Sequence, residues 1–216
     1  ALQTEAERVA QLHREEGLTV AVIEQEKIFN EFSSGTPDAS AYRRLMKMFY
    51  DRAEGNENVR PRYLLLFGDG SYNNRKSMEK LHSPECNMLL TYQSKTSIDE
   101  RESFVIEDYF GFLEDNSGEE IKVDKVCLGI GRFPISSIKN ARLVVDKLYR
   151  YVHDKDFSSW KNNICIAADD GDGAIHAEQA DKGSDTLLLK NTSQPRLGFR
   201  VNKIYIDSYY MDPQTI

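Results

Sequence analysis

Residues 162–176 read NNICIAADDGDGAIH. A short apolar run, 164–168, stops at the carboxylates Asp169 and Asp170. A Gly-rich acidic turn follows, and His176 stands at the start of what reads as a helix. Buried strands of α/β proteins end in this way where the C-terminal edge of the sheet carries a ligand or chemistry. Asp169, Asp170 and Asp172 repel one another and are costly to bury. They require solvent, turn amides, a cation or a nearby base.

The same grammar runs through the rest of the chain. Residues 18–23 (LTVAVI), 63–67 (YLLLF), 126–130 (VCLGI) and 201–206 are further apolar or β-branched runs of buried-strand type. Between them lie helical patterns. Residues 4–16 carry a narrow stripe, Val9 and Leu12, ended by Gly17. Thr36-Pro37 opens a helix whose face holds Tyr42, Leu45, Met46, Phe49 and Ala53. Met46 and Met48 read as core fillers rather than metal ligands. Ser137 caps a helix with Ile138, Ala141, Val145, Leu148 and Val152 on one face, and a last helix runs over about 176–190. Residues 108–113 (DYFGFL) are aromatic-rich and read as a short strand. The alternation predicts an α/β fold: three layers around a mainly parallel sheet. A seam is expected near 154–161. The start at Ala1, and the stop at Ile216 just past a strand with no covering helix, read as a piece of a longer protein.

Charge and composition narrow the function. The chain has 216 residues, 40% hydrophobic and 29% charged, with a net charge of -7. That balance argues against nucleic acid as a partner. No apolar run approaches the roughly 20 residues of a membrane span, and no signal-peptide pattern is visible at the start. The three cysteines fall in no Cys-x-x-Cys spacing. Cys127 and Cys165 sit in predicted buried strands, where a thiol is inert, and Cys86 follows His82 in a long polar excursion after residue 68.

Asp69 and the Asp169/Asp170 pair each stand just past a strand. One reading is a shared polar edge, with Asp69, Asp169, Asp170 and Asp172 holding a divalent metal for phosphoryl chemistry. The other is that each carboxylate caps the turn or helix that follows it. DDGDG loosely matches a calcium loop but lacks the Glu of an EF-hand. His176, with Glu178 and Asp181 nearby, is either a helix-start residue bonding locally or part of an imidazole and carboxylate cluster. A non-catalytic interaction domain that uses the 68–103 loop is a third reading.

Six segments resemble one family in order. They are NEFSSGTPDASAYRRLMKMFYDRA (30–53), PRYLLLFGDGSYNNR (61–75), LLTYQS (89–94), EDYFGFLED (107–115), GIGRFPI (129–135) and ADDGDGAIHAEQAD (168–181). The chain resembles the gingipain-like cysteine peptidases, and within them the peptidase-sortases of the type IX secretion system of Bacteroidota. The resemblance implies a caspase-like catalytic domain. Residues 1–158 would be a first subdomain lacking its opening strand, and 159–216 the start of the second, catalytic one. The family's catalytic His (in a His-Gly motif) and its Cys follow later strands, and neither motif occurs here. The resemblance therefore implies a chain inactive by itself. By similarity, Asp170 is the carboxylate that orients the catalytic His, with Asp169 the alternative. Asp172, His176 and Glu178 become binding candidates. Gly173-Ala174 replace the acid of the arginine-specific members, with Asp172 close by, so trypsin-like specificity is not expected. The implied partners are secreted proteins bearing C-terminal sorting domains, a lipopolysaccharide acceptor and outer-membrane secretion components, at the outer-membrane surface or outside the cell. No cofactor is required, and a calcium ion has room.

Overall fold

The computed structural model describes residues 2–75, 88–94, 104–121, 123–156, 158–169, 171–193 and 198–206. The chain divides into two compact units, Ala1–His153 and Asp154–Ile216.

In the first unit α1 (Gln3–Glu15), α2 (Gln25–Phe32) and α3 (Ser40–Arg52) precede β1 (Tyr63–Phe67). A 3-10 turn at Asp108–Gly111, β2 (Gly129–Phe133) and α4 (Ile138–Val152) follow. β1 and β2 pair in parallel, with Leu64 opposite Ile130 and Phe67 opposite Phe133. The second unit holds β3 (Asn163–Ala168), α5 (Ile175–Ser193) and β4 (Arg200–Tyr205), with β3 and β4 also parallel. Parallel strands with helical crossovers make this an α/β fold.

The stripes read from the sequence supply much of the core. Val9 and Leu12 of α1 are buried, and Gly17 leaves the helix at φ +92. In α3, Tyr42, Leu45 and Met46 are buried and Met48 packs against them. Tyr42 stacks on Phe29 at 5.7 Å and packs edge-to-face with Phe110 at 5.5 Å. Its hydroxyl donates to Gln25 Oε1 (2.9 Å) and accepts from the Leu90 amide (3.3 Å), and burial pushes the phenol well above its ordinary range. Ser137 caps α4 by accepting from the Asn140 amide at 3.2 Å.

Several expectations need correction. α3 starts at Ser40 rather than after Thr36. The Asp38 carboxylate accepts from both the amide and the hydroxyl of Ser40, which supplies the start signal attributed to Thr36-Pro37. Phe49, Ile138 and Val152 are exposed: Ile138 and Val152 are the first and last residues of α4, and Phe49 lies in the last turn of α3, beyond the buried Met46. Residues 108–113 form no strand. The aromatics enter the core through the 3-10 turn, with Phe110 fully buried and Tyr109 stacked on Tyr92 at 3.5 Å. The strand expected at 126–130 lies three residues later. The Cys127 amide bonds the Gly111 carbonyl instead, and Arg132 belongs to β2. Cys127 is thus half-buried outside a strand, and Cys165 is exposed on β3. The strands are not covered on both faces either: Tyr63 and Leu65 of β1 are exposed, and β3 alternates between exposed and half-buried. Residues 18–23 take no regular structure and join no ladder among the described residues. α2 was not foreseen, because it is short and its apolar face is only Ile28, Phe29 and Phe32.

Candidate functional site

β3 delivers Asp169 to the C-terminal edge of its strand pair, where the carboxylate is exposed. Its Oδ2 lies 3.3 Å from where a Cβ on Gly171 would stand, so the glycine leaves room for the carboxylate to fold over the turn. Asp170 lies outside the described residues. The turn then takes left-handed backbone at three consecutive residues, Asp172 (φ 53), Gly173 (φ 72) and Ala174 (φ 63), and the Ala174 amide donates to the Gly171 carbonyl at 3.1 Å. Left-handed backbone at Asp172 and Ala174 costs about 1–2 kcal/mol each. Such strain persists where the surroundings hold it, and it is concentrated in binding sites.

α5 starts at Ile175. His176 Nε2 stands 3.8 Å from Asp172 Oδ2, one helical turn back, and both side chains are exposed. Glu178 is exposed on the first turn of α5. Asp169, His176 and Gln179 line an open depression with Ile166, Ala168 and Ile206. The structure therefore brings Asp169, Asp172 and His176 to one edge as solvated, polar groups.

Asp69 serves a turn in the first unit. Its Oδ1 accepts from the Gly70 amide at 2.8 Å, and its backbone carbonyl accepts from Leu89 (2.7 Å) and Arg132 (3.2 Å). Among the described residues, no group of three or more His, Cys, Asp or Glu side chains is placed to hold a metal ion.

The described histidines and cysteines make local contacts. His13 bonds Glu16 at 2.9 Å, His153 bonds the Tyr149 carbonyl at 2.9 Å, and the Cys127 thiol approaches the Lys125 carbonyl at 3.6 Å. Cys86 and His82 lie outside the described residues. The described thiols and imidazoles thus show no Cys–His pairing of the kind nucleophilic catalysis requires.

The family model for peptidase family C25 matches residues 1–215. The chain belongs to peptidase family C25. Its helices and parallel strand pairs are those of the caspase-like C25 fold, so this is a cysteine-peptidase-like domain. No curated protein and no solved structure matches the chain significantly.

Two clusters in this C25 domain were missed by sequence reasoning. The first is the set of partners of Asp181, which reads beside His176 in the sequence but anchors α5 to β4. Lys203 Nζ donates to Asp181 Oδ1 at 2.7 Å and the Tyr205 hydroxyl donates to the same oxygen at 2.5 Å. The two donors hold the Asp181 carboxyl below its usual range, and the bond to Asp181 raises the Tyr205 phenol. A phenolate beside a carboxylate is disfavoured, so Asp181→Asn should lower the Tyr205 titration midpoint. NMR titration of the Tyr205 ring carbons checks this, and an unchanged or higher midpoint contradicts it.

The second cluster centres on Arg132, within GIGRFPI. Its guanidinium bonds both Glu107 oxygens (2.8 and 3.2 Å) and the carbonyls of Gly68, Asp69 and Leu90. Gly70 sits against it: a Cβ there would meet Thr91 Cγ2 at 2.8 Å and Arg132 at 3.3 Å. Sequence spacing gave no hint of this cluster, because Glu107 and Arg132 come from segments 25 residues apart.

Proposed function

We propose that this chain is part of the catalytic domain of a type IX sortase of the PorU type. Residues 1–158 would form the first gingipain-type subdomain and 159–216 the beginning of the catalytic one. The observation that carries the reading is the C25 match across residues 1–215. The exposed carboxylate edge after β3 supports it, as does the local bonding of the chain's described histidines and thiols.

In this reading the nucleophilic Cys and the catalytic His belong to the protein outside residues 1–216. The thiolate adds to the scissile carbonyl and the peptide C–N bond breaks, leaving a thioester. The imidazolium gives its proton to the departing amine. Asp170, or Asp169 in its place, orients that imidazole and stabilises its charged form. Water or a lipopolysaccharide amine then attacks the thioester, its proton passing to the now neutral imidazole, and the C–S bond breaks to release the thiolate. Asp172, His176 and Glu178 flank the bound segment. The substrate is a secreted protein carrying a C-terminal sorting domain, handled with outer-membrane secretion components at the cell surface. No cofactor or nucleic acid takes part, and a calcium ion at the acidic turn would be structural.

The test uses the full-length protein and a cargo with or without its sorting domain. Cleavage only of the tagged cargo is expected, with acyl transfer to an added amine. Asp170→Ala should lower kcat by at least about 100-fold, because the imidazolium loses its carboxylate partner. Asp169→Ala should have that effect instead if Asp169 fills the role. Indifference to the sorting domain, or activity unaffected by either substitution, contradicts the proposal.

A further inference from the structure

The charge of α4 runs against that of the chain. Acidic residues outnumber basic ones overall, 35 to 28, yet α4 carries Lys139, Arg142, Lys147 and Arg150 against the single carboxylate of Asp146. All five side chains are exposed. At 3.6 residues per turn, Lys139, Leu143, Lys147 and Arg150 fall within about 80° of one another round the helix, along about 17 Å of its axis. They stand opposite Ala141 and Val145, which have no exposed surface. Leu143 is 57% exposed in the middle of the stripe, and Tyr151 is 62% exposed at its end.

The neighbouring groups do little to neutralise these cations. Asp146 is held by Arg8 of α1 at 2.7 Å, so the one carboxylate of the helix is already matched. Glu5 reaches Arg142 at 3.6 Å but bonds Arg8 more closely, at 2.6 Å. The Arg150 guanidinium turns onto the Asp146 carbonyl of its own helix, and Lys139 and Lys147 meet no carboxylate among the described residues. A groove that would seat a peptide is not on this face: the depressions beside Tyr63 and Gly129 and beside Asp169 and His176 belong to other elements. α4 instead offers a convex row of cations with an apolar side chain at its centre. That pattern suits a planar layer of phosphates over hydrocarbon, where each cation adds attraction and the apolar groups enter the boundary.

We propose that the outer face of α4 docks on an anionic, phosphate-bearing lipid surface. Lys139, Lys147 and Arg150 pair with headgroup phosphates, while Leu143 and Tyr151 dip between the headgroups. The prediction stands whether or not the parent protein is a sortase.

Vesicle sedimentation of the full-length protein tests this. Vesicles of phosphatidylglycerol with phosphatidylcholine should bind it, phosphatidylcholine alone should not, and added salt should weaken the binding. The triple variant Lys139→Gln/Lys147→Gln/Arg150→Gln should bind at least about 30-fold more weakly. Leu143→Asn should weaken binding several-fold and leave the salt dependence unchanged. A control that removes three exposed cations elsewhere, Lys27→Gln/Arg52→Gln/Lys125→Gln, should bind nearly as well as the unmutated protein. No preference for phosphatidylglycerol overturns the proposal, as does an equal loss in the two triple variants. Capture on immobilised polyglutamate without vesicle binding also overturns it, and assigns the face to an acidic protein.

Discussion

Replacing Arg132 by Ala should destabilise the first unit by about 3 kcal/mol, the scale for breaking a mostly buried ion pair. The side chain is 11% exposed and its partner Glu107 27%. Removal strands a carboxylate and takes a charged donor from three carbonyls, those of Gly68, Asp69 and Leu90. The loop after β1 loses its anchor at the same time. There, Thr91 and Asn74 bond reciprocally, Asn74 Nδ2 to the Thr91 carbonyl at 2.7 Å and the Thr91 amide to Asn74 Oδ1 at 3.1 Å. Lys at position 132 should recover only part of the loss, because an ammonium cannot span Glu107 and the carbonyls together. Urea unfolding measures both variants. A loss below about 1 kcal/mol for Arg132→Ala would reduce the cluster to an ordinary surface pair.

Phe110→Ala should cost about 4 kcal/mol, near the upper end of large-to-small core changes. Phe110 has no exposed surface and packs edge-to-face with both Tyr42 and Tyr109. The cluster it belongs to draws on α2, α3, β1 and Leu90 as well as the 3-10 turn, so no single element can collapse into the space. Phe49→Ala, at 39% exposure on α3, should cost far less. Equal losses for the two would mean that the core is not organised around the 3-10 turn.

That contrast shows what was legible in the chain. Val9, Leu12, Tyr42, Leu45, Ala141 and Val145 could be named as core because a helical period repeats along contiguous residues, and all six are buried. Phe110 could also be seen as apolar, but DYFGFL holds too few residues to separate a strand from a 3-10 turn. Tertiary packing made that choice. β2 lay three residues beyond the apolar run because pairing with β1, not hydrophobicity, sets strand limits. The run Val126 to Leu128 is used instead to meet Gly111 and the α3 core. The candidate site was legible to a similar depth. Asp169, Asp172 and His176 could be assigned to a strand edge from their spacing. The Asp181 anchor and the Arg132 cluster depend on contacts between distant segments, which no local pattern encodes.

The family match also shows where residue reasoning alone stopped. An acidic strand end admitted a metal, a base or a cap. Six ordered motifs narrowed that choice to a cysteine peptidase, and the C25 match spans residues 1–215.

The most direct test of the central claim labels the full-length protein with an electrophilic peptide that traps catalytic thiolates, then maps the adduct by mass spectrometry. The account predicts a single adduct on a cysteine outside residues 1–216, formed at the rate at which peptidase activity is lost. An activity-linked adduct on Cys86, Cys127 or Cys165 would contradict it.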